Sequence, residues 1–217
     1  MKFYLSAILI LVFAFSVFGQ TSVGSFEKIK MSDIGTVLIP STMELQSGTY
    51  KNFSDTVSKD LMKKQGIEIT GDNIIFQPKG LNDFKKLNTY ARVIINTTIG
   101  KKGEYRKITA KLVATKREIN EVSAIFKKQF EDEFKNTGLK IVRWDGVSVE
   151  SVNGRSVMRV AYLRQLKDNP SVYVEMYYFE NYDRMHLLTI SYREEDASIW
   201  KEDLETTKNS FTITNIR

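Results

Sequence analysis

The arrangement of apolar and polar positions divides the chain into strands, one long helix, further strands and a closing helix. Gly35 to Pro40 (GTVLIP) is a β-branched run ended by proline, the pattern of a strand entering a turn, with Met43 to Tyr50 as its expected partner. Phe53, Val57 and Leu61 recur every fourth residue and predict a short amphipathic helix ending at Gly66. Asn73 to Gln77 and Tyr90 to Thr98 read as strands, the second rich in Val, Ile and Thr. The clearest helix runs from about Lys116 to Lys135. Thr115 and Glu118 have the spacing of a capping box, in which hydroxyl and carboxylate each satisfy a free backbone amide. Ile119, Val122, Phe126, Phe130 and Phe134 form one apolar stripe, and Gly138 suits the left-handed position past the last turn.

An antiparallel meander follows. Leu139 to Arg143 is a strand, Trp144-Asp145-Gly146 is expected to turn it, and Val147 to Val152 alternates towards Asn153-Gly154, a strong hairpin signal. Arg155 to Gln165, Val172 to Glu180 and Arg184 to Arg193 are strands separated by Asp168-Asn169-Pro170 and Asn181-Tyr182-Asp183. Turns this short join antiparallel neighbours. Tyr173, Tyr177 and Phe179 fall on one face of their strand, and Val174, Met176 and Tyr178 on the other. Both faces are therefore apolar, and helices are expected to cover both. Asp196 to Ser210 is the closing helix, with Ala197, Trp200, Leu204 and the following Phe211 on its buried side. The pattern predicts a layered α+β domain.

Thr36 to Pro40, Val152-Asn153-Gly154, Leu187 to Tyr192 (LLTISY) and Ser210-Phe211 after the Trp200/Leu204 helix carry a family resemblance. In this order, across residues 34 to 213, the chain resembles the PsbP-like superfamily, which includes the extrinsic photosystem subunit, the Ran-binding Mog proteins and periplasmic relatives such as DcrB. The resemblance implies an α/β/α sandwich: a central antiparallel sheet covered by helices on both faces. It implies a bacterial secreted member that binds or assembles, with no shared catalytic residue to carry over. Ile75 to Asn82 (IFQPKGLN) stands outside that pattern.

The N-terminus reads as an address. Met1-Lys2 is charged, Phe3 to Val17 is apolar except for Ser6 and Ser16, and Val17-Phe18-Gly19 closes the run. This is the order of a secretory signal peptide cleaved after Gly19. The expected plan is a signal peptide at 1–19, an N-terminal segment at 20–33 and a single domain at 34–217. The expected location is secreted, periplasmic or extracellular, with no stable membrane span once the leader is cut. The rival reading is an uncleaved anchor, although the apolar stretch is at the short end for about 30 Å of hydrocarbon and no basic stop-transfer cluster follows.

Composition narrows the chemistry. The chain has no cysteine and one histidine, which excludes disulfides, thiolate nucleophiles and multi-histidine metal centres. His186 shares a strand face with Leu188, Ile190 and Tyr192 and reads as a packed strand histidine, with no Gly-x-Ser-x-Gly elbow to serve. Glu131 to Glu133 and Glu194 to Asp196 read as a solvated helix face and a helix start. Calcium, zinc, phosphate-loop and dinucleotide motifs are missing, so neither metal nor cofactor is expected, and catalysis is not expected.

Charge says more. The net charge of +6 becomes +5 when Lys2 leaves with the leader. Between residues 101 and 117 lie Lys101, Lys102, Arg106, Lys107, Lys111, Lys116 and Arg117, opposed only by Glu104. Such a concentration attracts anionic surfaces. Lys101, Lys102, Arg106, Lys107 and Lys111 are the candidate binding residues, and the partner is a lipid headgroup, an acidic polysaccharide or an acidic protein. Nucleic acid is not expected, because export removes the usual target and aromatics are not interleaved with these basic residues as a single-strand groove needs. The expected function is a non-enzymatic binding or assembly accessory of the bacterial envelope docking on an anionic partner. Two alternatives stand beside it: a small-molecule or lipid carrier with a pocket between the Phe126/Phe130 helix and the sheet, and a hydrolase of unrecognised type.

Overall fold

The computed structural model describes residues 24–49, 51, 73–85 and 87–217. In chain order these form β1 (Phe26–Met31), β2 (Gly35–Pro40), β3 (Met43–Leu45), β4 (Ile74–Pro78), β5 (Ala91–Ile99), α1 (Lys116–Phe134), β6 (Leu139–Val152) and β7 (Arg155–Leu166). There follow β8 (Val172–Glu180), β9 (Arg184–Arg193), a 3-10 turn (Glu194–Asp196), α2 (Ala197–Ser210) and β10 (Thr212–Ile213). The expected leader and the expected helix through Phe53, Val57 and Leu61 lie outside the described residues.

Seven strands make one antiparallel sheet in the order β3-β4-β5-β9-β8-β7-β6. Its last four members are the predicted meander. The Asn153-Gly154 hairpin turns with positive φ at both central residues, 46° and 73°. The cross-strand pairs Tyr177–Leu188 and Val93–Ile190 place one set of side chains on one face. There they join Phe179, Ile95, Trp200, Leu204 and Phe211 in a single core. The opposite parity places Val160, Tyr162 and Val174 against Phe130 of α1. The molecule is thus an α+β sandwich with helices on both faces of a large antiparallel sheet, as the alternation in β8 predicted. Leu204 of α2, fully buried, contributes on the order of 1.5–3 kcal/mol.

α1 begins as its sequence requires. The Thr115 hydroxyl accepts from the Glu118 amide at 3.3 Å, and the Glu118 carboxylate accepts from the Thr115 amide at 2.7 Å.

Three local expectations are corrected. Met43–Leu45 does not pair with β2; Pro40-Ser41-Thr42 leads the chain out of one sheet, and β3 pairs with β4 in the other. β2 instead lies between β1 and β10 in a second, three-stranded sheet. β1 comes from residues left outside the predicted elements, because its sequence FEKIKM has three apolar residues that do not keep strict alternation and three charged ones exposed at a sheet edge. Trp144-Asp145-Gly146 is not a turn but a bulged stretch within the continuous β6. Gly146 takes φ 91°, and the Trp144 indole N–H donates to the Ser123 hydroxyl of α1 at 2.9 Å. The extra residues aim the indole at the helix and leave pairing with β7 to resume beyond them.

Candidate functional site

The basic segment lies across one end of the large sheet. β5 ends there at Ile99, opposite Arg184 at the start of β9; Glu180 ends β8, and the β6–β7 hairpin lies beside them. Backbone bonds lay the loop along this end. The Gly100 amide donates to the Asp183 carbonyl at 2.8 Å, and the Tyr105 amide to the Tyr182 carbonyl at 3.0 Å. Further on, the Leu112 amide donates to the Ser156 hydroxyl of β7 at 3.1 Å. Ile108 is buried beneath the loop.

The five predicted binding residues divide into two groups. Lys101, Lys102, Lys107 and Lys111 are exposed, and among the described residues none of their ammonium groups is ion-paired. The Lys107 ammonium lies 5.9 Å from the centre of the Tyr182 ring. Arg106 is a fastener. Its guanidinium donates to Glu180 at 2.9 Å, to the Ser156 carbonyl at 3.2 Å and to the Ala110 carbonyl. Glu104, itself exposed, folds back along the loop and accepts from the Lys101 amide at 2.6 Å. Lys116 and Arg117 extend the charge to the first turn of α1, where Arg117 lies 3.7 Å from Glu121. The lysines therefore present a positive field over roughly 8 Å of physiological solution.

Ile99 and Val113, 73% and 83% exposed, bracket this loop and were not singled out in the sequence. A β-branched residue at a strand end reads as core, and only the absence of a covering element leaves it in water. Asn181 was missed as well: its amide donates to the Asn215 carbonyl at 2.8 Å and its side-chain oxygen accepts from the Arg217 amide at 2.9 Å. That brings residues 215–217 to the same end.

Two other places bring polar or aromatic side chains together. A cleft of about 410 Å³ separates α2 from the sheet, with Arg159, Glu175, Tyr173 and Tyr192 in its floor and Lys201 on its helical wall. Arg159 is paired with Glu175 and donates to the Tyr173 hydroxyl at 3.0 Å; Arg143 bonds Glu194 at 3.0 Å. Burial, then the nearby Glu175 carboxylate, push the Tyr173 hydroxyl up to about 12. The Arg159–Glu175 pair lies within the sheet and the Arg143–Glu194 pair ties β6 to the turn before α2, so both guanidinium groups of the cleft already have carboxylate partners. The space proposed for a carrier, between Phe126/Phe130 and the sheet, is filled with rings. Phe126 stands 5.7 Å from Tyr178, and Phe130 5.1 Å from Tyr162, centre to centre.

His186 is wholly buried, with Nδ1 2.9 Å from the Thr97 hydroxyl. Burial, then the Arg184 guanidinium, bring its imidazole down to about 4 against a weaker opposing pull from Asp183. Among the described residues no carboxylate is hydrogen-bonded to it, so it has the surroundings of a packing residue. Among the described residues no cluster of three His, Asp or Glu side chains could hold a metal ion, and no helix is long and apolar enough to cross a membrane.

No protein-family model and no curated protein matches the chain. Solved structures do. A protein of unknown function from Pseudomonas aeruginosa, described as a putative regulator, aligns over 87% of this chain and 97% of its own at 9% identity, with a TM-score of 0.41. The solution structure of cyanobacterial PsbP (CyanoP) from Synechocystis aligns over 90% of this chain and 96% of its own at 14% identity, with a TM-score of 0.51. That second likeness is one of fold, and the fold is the PsbP-like α/β/α arrangement.

Proposed function

We propose that this chain is an exported, non-enzymatic accessory protein of the bacterial envelope, and that it docks on an anionic partner through the basic end of its sheet. One observation carries the reading: four exposed lysines, free of carboxylate partners among the described residues, lie along a loop that hydrogen bonds to two strand ends hold in place. A loop whose backbone is already held loses little backbone freedom when its cations meet a polyanion. The leader pattern supports export, and the likeness to CyanoP supports a binding module built on this fold. The burial of the single histidine and the lack of cysteine tell against Ser–His and Cys–His nucleophile pairs.

The test is retention on immobilised dextran sulfate at low ionic strength. The variant replaces Lys101, Lys102, Lys107 and Lys111 by glutamine and spares Arg106, whose loss would strand Glu180 and loosen the loop. Each lysine contributes about 1 kcal/mol near an anionic surface, so the quadruple variant is expected to elute unretained while the wild type needs added salt. A wild type that passes straight through at low salt would refute the proposal.

A further inference from the structure

The anionic reading leaves three kinds of partner open, and the exposed aliphatic residues separate them. Nine large hydrophobic side chains stand exposed among the described residues, and the two most exposed are Val113 and Ile99. Both bracket the lysine-bearing loop, one directly before Gly100 and one directly after Leu112. Their anchors lie on β5 and β7, three strand intervals apart, or roughly 15 Å. Ile216, 47% exposed, belongs to the tail that Asn181 holds at this same end.

We infer that this end of the sandwich is a membrane-docking face that seats on an anionic phospholipid bilayer, with Lys101, Lys102, Lys107 and Lys111 at the headgroups and Ile99 and Val113 entering the acyl boundary. The inference rests on the anionic-docking reading and names its partner. Any polyanion satisfies lysines. Isolated aliphatic side chains amid those lysines add affinity where hydrocarbon lies just beneath the charge, which is the layering of an anionic bilayer, whereas an acidic protein would have to offer a matching apolar pocket at each of two points roughly 15 Å apart. An acidic polysaccharide offers no such layer. Long lysine stems suit the same geometry, because they keep the ammonium at the phosphates while the backbone approaches the surface.

The experiment compares three forms of the full chain: wild type, the four-lysine variant, and Ile99→Ser together with Val113→Ser. Each is sedimented with phosphatidylglycerol vesicles and with phosphatidylcholine vesicles, and each is titrated with soluble dextran sulfate. Residues 1–19 are common to all forms, so any binding they add is shared by wild type and variants on a given lipid, and the differences between the forms report the substituted residues. Both substituted aliphatic side chains are exposed, and an unchanged thermal midpoint verifies that the variant folds. The aliphatic variant is expected to lose tenfold or more in phosphatidylglycerol binding and to keep its dextran sulfate binding. The lysine variant is expected to lose both. Wild-type vesicle affinity in the aliphatic variant, or a wild type that binds dextran sulfate but not phosphatidylglycerol vesicles, overturns the lipid inference while the anionic reading stands. A wild type that binds neither overturns both.

Discussion

His186 shows how one residue can be placed correctly by pattern and still carry a consequence that pattern does not give. Strand alternation puts it on the face of Leu188 and Ile190, where it is found. Its complete burial comes from the layer above it. Thr97 is its hydrogen-bond partner across the strands, and its imidazole is brought down to about 4 by burial first and by Arg184 second. The folded state therefore binds fewer protons than the unfolded state below pH 6.5. Stability from this group is full above pH 6.5 and falls as the pH drops towards 4, by about 3 kcal/mol in total. His186→Gln, which keeps a polar partner for Thr97 and cannot titrate, is expected to flatten that part of the stability profile. Urea unfolding of both proteins at pH 7 and pH 4.5 reads the difference, since carboxylate titrations are shared by both. An equal loss in the two proteins would mean that the buried imidazole is not what acid attacks.

Among the elements, legibility followed how local the cause is. α1 could be read because its capping box and apolar stripe are set within one helix. The turns of the β6–β9 meander could be read because two or three residues fix them. β1 and the two-residue β10 could not, since each exists by pairing with β2 and has little pattern of its own. The basic loop was legible as charge. That Arg106 is spent on Glu180, 74 positions away, was not. The stretch Ile75 to Asn82, which lay outside the family pattern, proves to be β4 and a turn that latches β3. The Asn82 side-chain oxygen accepts from the Ser47 amide at 3.0 Å and from the Gln77 amide group at 3.1 Å, and its own amide donates to the Leu45 carbonyl at 2.9 Å. The Glu44 carboxylate closes the turn by accepting from the Asn82 backbone at 2.8 Å. Asn82→Ala leaves the fully buried Gln77 amide without this partner, so a loss of about 2 kcal/mol in chemical denaturation is expected. Asn82→Asp keeps the acceptor oxygen and is expected to lose less; equal losses would assign the latch to backbone geometry alone.

At the scale of the molecule, the small sheet closes the sandwich by joining the two ends of the described chain. β1 and β10 flank β2, and the Thr214 amide donates to the Ile34 carbonyl at 3.0 Å. Asn153 at the β6–β7 hairpin tip donates to the Thr212 hydroxyl at 2.7 Å, while Phe211 meets Phe179 edge-on at 5.0 Å. One glycine permits this closure. Gly35 lies opposite Ile213 of β10, and a Cβ there would collide with the Thr212 carbonyl, which is backbone and cannot swing away. Gly35→Ala must push β10 off β2, so a loss of about 2–3 kcal/mol is expected, with faster amide exchange at Thr214. The lysine loop is anchored to β7 and to the β8–β9 turn, and β10 takes no part in those bonds. Dextran sulfate binding of the folded Gly35→Ala protein is therefore expected to match the wild type. Binding lost together with the small sheet would mean that the docking end depends on sandwich closure and is not set by its own local bonds.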